Sequence, residues 1–266
     1  MLIIGERING MFKKVGAAIR DMDSKAIQEL AVKQVERGAH VLDVNTGPAA
    51  ASPIPAMEWL VTTIQEAVDV PLAIDSARPD VIEAGLKLCK NRPIINSTTA
   101  EKAKLDILLP LARKYSASVI GLTMNEKGVP GDVEKRTELA LSILASAMEH
   151  DIQPEDLYID AIVLPVNVAQ DQAAKVLSTI SECRILSDPP PHFIIGLSNV
   201  SQKCTHRDLI NRAFLVMAIS KGLDAAILDP LDGDLMDAAA TAELLLGKDI
   251  YCDSFLEAWK KKKSPR

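Results

Sequence analysis

Short runs of β-branched and aliphatic residues recur along the chain, separated by longer stretches in which apolar residues return every three to four positions. The runs are Leu2 to Gly5, His40 to Val44, Leu72 to Ile74, Pro93 to Ile95, Ser118 to Leu122, Leu157 to Ile159, Phe193 to Leu197 and Ala225 to Leu228. Between and after them the helical period predicts helices near 24 to 37, 56 to 68, 79 to 88, 101 to 114, 132 to 149, 168 to 181, 206 to 220 and 235 to 247. Ser24, Thr99-Ala100-Glu101, Asp132 and Thr205 stand where helix starts are expected, and Gly38 and Gly222 where helices end. Eight strand and helix pairs in one uninterrupted chain predict a single (β/α)8 TIM barrel. A doubly wound open sheet is the competing architecture. Its phosphate loop is missing, because Gly5-Glu6-Arg7-Ile8-Asn9-Gly10 has the wrong glycine spacing and no helix opening directly after it.

Several of the apolar runs stop abruptly at Asp or Asn. Asp43, Asp75, Asn96, Asp160, Asn199 and Asp229 lie at or just past such ends. The carboxyl ends of parallel barrel strands converge on one rim, so these residues are expected to form one cluster there. A carboxylate accepts two parallel hydrogen bonds, and an amide both gives and takes them. Together they suit the aminopyrimidinone edge of a pterin, but equally sugar hydroxyls or a divalent metal. Asp and Asn also cap helices and form turns, a reading that weighs as much as the site reading for Asp43 and Asp229.

Composition narrows the function class. The chain has 266 residues, 48% of them hydrophobic and 25% charged, with a formal net charge of -6, which favours neither nucleic acid nor an anionic membrane as partner. No apolar run reaches the length of a membrane helix and the start has no basic leader, so a cytoplasmic protein is expected. Cys89, Cys183, Cys204 and Cys252 form no Cys-x-x-Cys pair, and His40, His150, His192 and His206 have no ligand spacing, so neither a disulfide framework nor a metal site is expected. The basic end, Trp259 to Arg266, reads as solvated, with about 256–266 a frayed tail of a single domain spanning 1–266.

Five segments carry a resemblance: Gly5-Glu6-Arg7-Ile8-Asn9-Gly10, Ile74-Asp75-Ser76, Ile95-Asn96-Ser97-Thr98, Tyr158-Ile159-Asp160 and Gly196-Leu197-Ser198-Asn199-Val200-Ser201-Gln202. In these the chain resembles the pterin-binding methyltransferases, in particular those acting between methyltetrahydrofolate and corrinoid (iron–sulfur) proteins. The similarity runs from Met1 to about Phe255, including Asn167 to Asp171 and Tyr251 to Phe255. The resemblance implies a dihydropteroate-synthase-like barrel in which Asp75, Asn96 and Asp160 hold the pterin. It also implies that Asn199 faces nitrogen 5 with Gln202 beside it on a loop that includes Gly196 and Ser198, and that the protein is a homodimer. Arg207 is either a contact for the folate tail or a solvated helix residue. Tetrahydrofolate or methyltetrahydrofolate would be the substrate. The corrinoid (cobalamin) would arrive on a partner, a corrinoid iron–sulfur protein or a small corrinoid carrier, since the chain lacks the Asp-x-His-x-x-Gly signature of such carriers. The metabolic setting would be the acetyl-CoA pathway or O- or N-demethylation.

Two other functions remain open at this level. A dihydropteroate synthase would place basic residues after its seventh and eighth strands, where this chain has Ser198-Asn199 and Leu228-Asp229-Pro230. A non-catalytic folate-binding subunit would carry the same pterin residues. The loop Met124 to Pro130 either covers the pocket or merely connects two elements.

Overall fold

A computed structural model describes residues 1–48 and 50–248. The expected frayed tail, the segment Tyr251 to Phe255 and Cys252 lie outside the described residues. Eight parallel strands, β1 (Leu2–Asn9), β2 (Val41–Asn45), β3 (Leu72–Asp75), β4 (Ile94–Thr99), β5 (Ser118–Leu122), β6 (Leu157–Asp160), β7 (His192–Gly196) and β8 (Ala225–Leu228), close in sequence order. Around them lie α1 (Lys13–Arg20), α2 (Ser24–Glu36), α3 (Pro53–Gln65), α4 (Pro79–Leu86), α5 (Lys102–Tyr115), α6 (Val133–Glu149), α7 (Gln170–Cys183), α8 (Arg207–Ser220) and α9 (Gly233–Leu245). The expected TIM barrel is therefore present.

Three local expectations need correction. The eight-residue helix α1 was not foreseen, because it is short and follows directly on a glycine-bearing strand end. Strands β1 and β4 run on to Asn9 and Thr99, past the ends of their apolar runs, each through a shift of register. Beyond the apolar run, β1 continues through Glu6 and Arg7 to the buried Ile8, and β4 through Asn96 and Ser97 to the buried Thr98 and Thr99. Of the expected helix starts, Asp132 does cap α6, accepting from Lys135 N at 2.9 Å. For α2 the cap is Asp23, one residue before Ser24. Gly38 and Gly222 follow α2 and α8 in the left-handed conformation, as expected.

Strand alternation divides the core in two. One set of side chains, including Leu42, Leu72, Ile74, Ile95, Val119, Ile159, Phe193 and Ile195, packs outward under the helices. The other fills the barrel: Ile4, Val41, Ala73, Ile94, Ile120, Ile194 and Ala225, with Leu2, Leu122, Tyr158 and Ile227 against them. Truncating one of the interior isoleucines to alanine costs about 2–5 kcal/mol of stability. This apolar plug is the floor on which the site stands.

Candidate functional site

Moving two residues on from the plug along each strand reaches the mouth on the same face. Ile4 leads to Glu6, Val41 to Asp43 and then Asn45, Ala73 to Asp75, Ile94 to Asn96, Tyr158 to Asp160, Ile194 to Gly196 and Ile227 to Asp229. Asp75 and Asp160 are the last residues of their strands, Asp43 and Asn96 are interior positions before the ends of theirs, Asp229 lies one residue past β8, and Asn199 sits on the turn after β7. Asn45, Asp75 and Asn96 stand in direct register on β2, β3 and β4.

This side of the mouth is tied together. Asn45 Nδ2 donates to Asp75 Oδ2 at 2.6 Å, and Asn96 Nδ2 donates to Asp43 Oδ1 at 2.9 Å. Asp43 is therefore neither a helix cap nor a turn former. It is a buried carboxyl whose proton affinity is pushed well above the usual range by burial and then by the neighbouring Asp75 charge. Asp75 is raised by burial, opposed by its bond from Asn45. Asp160, on the next charged strand around, is 7% exposed and accepts from Ile162 N at 2.7 Å. Burial pushes it up to about 6 against the lowering effects of the Ile162 and Gly196 backbone and of Arg136. Asp229 does form a turn, accepting from Leu231 N at 3.0 Å, and also pairs with Arg7 at 3.3 Å.

The opposite side, after β7, is built differently. A single 3-10 turn over Leu197–Asn199 carries Ser198 and Asn199 to the mouth. Ser198 Oγ donates to Glu6 Oε2 at 2.9 Å, crossing from the last third of the chain to the first strand. Arg207, at the start of α8, donates from Nε to Ser201 Oγ and from Nη2 to Ser198 O, each at 3.0 Å. It is exposed but not free: it clasps the loop that bears Asn199. Asn199 and Gln202 are exposed, and among the described residues their side chains have no hydrogen-bond partner. A Cβ at Gly196 would stand 3.0 Å from Asn199 Nδ2, so a side chain there would crowd the amide. A cleft of about 240 Å³, lined among others by Glu6, Arg7, Ser198, Arg207 and Asp229, opens beside this loop.

Glu6 and Asn45 escaped the sequence reading. The signal was available as the two-residue step from Leu2 and Ile4 to Glu6, and from Val41 and Asp43 to Asn45. Burial raises Glu6, opposed chiefly by the bond from Ser198. The Met124 to Pro130 loop forms a small turn closed by an Asn125–Gly128 bridge. No cluster of three or more His, Cys, Asp or Glu suited to a metal ion occurs among the described residues. No helix among them is long and apolar enough to cross a membrane.

The profile of the family described as pterin binding enzyme matches residues 8–229. A methylcorrinoid:tetrahydrofolate methyltransferase of Eubacterium limosum is 33% identical over 99% of this chain and 97% of its own length. Methionine synthase of Mycobacterium leprae is 28% identical over 86% of this chain, which spans 20% of that protein. Among solved structures, a dihydropteroate synthase from Coxiella burnetii in complex with pteroic acid superposes with a TM-score of 0.70 at 17% identity, covering 93% of this chain and 94% of that one. A Yersinia pestis dihydropteroate synthase gives 0.68 at 14% identity over 93% and 94%. At those identities the solved structures speak for the fold alone. The chain belongs to the pterin binding enzyme family, among its methyltransferases.

Proposed function

We propose that the protein moves a methyl group between nitrogen 5 of tetrahydrofolate and the cobalt of a corrinoid carried by a separate protein. The observation that carries this reading is the division of the mouth. Asp75, Asn96 and Asp160 stand fixed on the strand ends, and Asn199 stands unpaired opposite them on a braced loop. The carboxylates accept the pterin's N–H and amino hydrogens, and Asn96 completes the edge. Gly196, Ser198 and Gln202 shape the side of the pocket where nitrogen 5 would lie, and Arg207 both holds the loop and lines the cleft beside it.

Reduced Co(I) is itself the nucleophile, so the protein has to align the reactants and make the amine a tolerable leaving group. The cobalt electron pair forms the new bond to the methyl carbon as the carbon–nitrogen bond breaks. Nitrogen 5 must then accept a proton, because an amide anion is too poor a leaving group. Asn199 is the donor placed to strengthen its hydrogen bond as charge develops on that nitrogen, which raises rate rather than ground-state affinity. An amide is no acid, so the proton comes from water in the mouth, beside carboxyl groups whose proton affinity is raised by burial. In the reverse direction the free amine attacks methyl-Co(III), and nitrogen 5 then loses its proton.

The chain is read as one pterin-binding unit working in the cytoplasm as a homodimer. Its partner is a corrinoid iron–sulfur protein or a small corrinoid carrier, in the acetyl-CoA pathway or in O- or N-demethylation. The test is the reverse reaction with carbon-13-labelled methylcobalamin and tetrahydrofolate. Protein-dependent appearance of labelled N5-methyl in the carbon NMR spectrum supports the reading. Condensation of an activated pterin with p-aminobenzoate without methyl transfer would replace it with a synthase, and tight folate binding without either reaction would replace it with a binding subunit.

A further inference from the structure

Asn45, the last residue of β2, uses both ends of its amide in directed hydrogen bonds. Its Oδ1 accepts from Gly47 N at 2.6 Å, and its Nδ2 donates to Asp75 Oδ2 at 2.6 Å. A backbone N–H only donates and an ionised carboxylate only accepts, so turning the amide over would set donor against donor and acceptor against acceptor. One orientation of the amide therefore survives. The Gly47 N–H is itself fixed by close backbone packing. Gly10 N donates to Asn45 O at 2.9 Å, and a Cβ at Gly10 would run into the Thr46 carbonyl. Gly47 has a φ of 71°, and a Cβ there would stand 2.6 Å from the Gly10 carbonyl carbon. Glycine at both positions thus lets the segments after β1 and β2 touch backbone to backbone. At the far end of this series of contacts, Asn45 supplies the one hydrogen bond that reaches the Asp75 carboxylate among the described residues.

We propose that Asn45 is a positioning residue for Asp75, fixed by Gly47 so that it holds the Asp75 carboxylate in one orientation toward the pterin. An ionised carboxylate has about four acceptor positions, and Asn45 fills one of them on Oδ2. Oδ1 and the remaining position on Oδ2 are left for the ligand. A carboxylate without this bond would turn about its terminal torsion, and that freedom would be lost on binding. The amide donor also keeps a proton off the lone pair it occupies, which opposes the effect of burial on Asp75. The inference rests on Asp75 being a pterin ligand.

The experiment compares wild-type protein with Asn45→Ser and Asn45→Ala, measuring tetrahydrofolate affinity by calorimetry, and kcat and KM for methyl transfer from methyltetrahydrofolate to Co(I) cobalamin. Serine keeps an oxygen that can accept from the N–H two residues on but is too short to reach Asp75, and alanine loses both bonds. Both variants are expected to weaken folate affinity about 5- to 10-fold and to raise KM alike, with kcat changing far less. Wild-type affinity in Asn45→Ser beside a loss in Asn45→Ala would make Asn45 a turn anchor and overturn the proposal, as would unchanged affinity in both. A fall in kcat as large as the rise in KM would also overturn it. If Asn45→Ala does not fold, Asn45→Ser carries the comparison alone. A ligand-free double-mutant cycle in urea, with Asn45→Ser and Asp75→Ala, separates this inference from the functional reading. Bonded partners require non-additive changes in stability. Additive changes overturn the bridge even where folate binds, and a coupled pair in a protein that binds no folate leaves the bridge standing while the functional reading fails.

Discussion

The two sides of the barrel mouth solve opposite problems. On β2 to β4, Asp43, Asn45, Asp75 and Asn96 are half-buried or buried, and bonded to one another across strands before any ligand arrives. After β7, Asn199 and Gln202 are exposed and unbonded, and the loop beneath them is held by Arg207 and by the Ser198–Glu6 bond. A side that recognises a ligand gains from being preorganised, because little ordering remains to be done on binding. A group that must strengthen a bond only as the reaction proceeds gains from having no competing partner. On the proposed function, the difference assigns recognition and chemistry to different backbones: strand ends on one side, a clasped loop on the other.

The sharpest break in that comparison is Asn199→Ala. Methyl transfer in a single turnover is expected to fall by about 10²–10³-fold, with folate affinity within a few-fold of wild type by calorimetry. Equal losses in both would put Asn199 on the recognising side. Asp75→Ala is the mirror experiment: it leaves the Asn45 amide and the pterin donors without an acceptor. Affinity is expected to drop about 10- to 100-fold, with the rate at saturating folate changing far less.

A third prediction concerns stability. Burial raises Asp160 to about 6, so its folded form holds a proton that the unfolded chain, titrating near 3.8, has already released. Between those values stability falls as pH rises, and above about 6 the full cost of the buried charge is present. Asp160→Asn is therefore expected to stabilise the protein by about 1–2 kcal/mol at pH 7 and by less at pH 5, while losing folate affinity. Denaturation at the two pH values checks the sign. The smallest effect is expected from Arg207→Ala, which removes two hydrogen bonds from the loop and slows methyl transfer about 3- to 10-fold. A drop confined to affinity for a folate with a longer glutamate tail would instead make Arg207 a ligand contact.

Much of this arrangement was legible in the chain. Asp75, Asn96 and Asp160 announce themselves because an apolar strand run ends on each, and barrel geometry gathers such ends onto one rim. Glu6 and Asn45 are harder to see there, because hydrophobicity ends before the strand does and the interior column continues one polar step further. Arg207 is ambiguous in sequence, since the same residue at a helix start serves a ligand, the solvent or a neighbouring loop. Arg136 is invisible there: an arginine in a helix with ordinary charged neighbours reads as solvated, and only the packing of α6 and α7 over the barrel encloses it.

The most direct test of the central claim is an anaerobic mixing experiment in which protein, methyltetrahydrofolate and chemically reduced Co(I) cobalamin are combined and the Co(I) absorption is followed. The account predicts protein-dependent decay of that band into methyl-Co(III), nearly abolished in Asn199→Ala and retained at saturating folate in Asp75→Ala. Decay of equal rate in wild type and Asn199→Ala would contradict it.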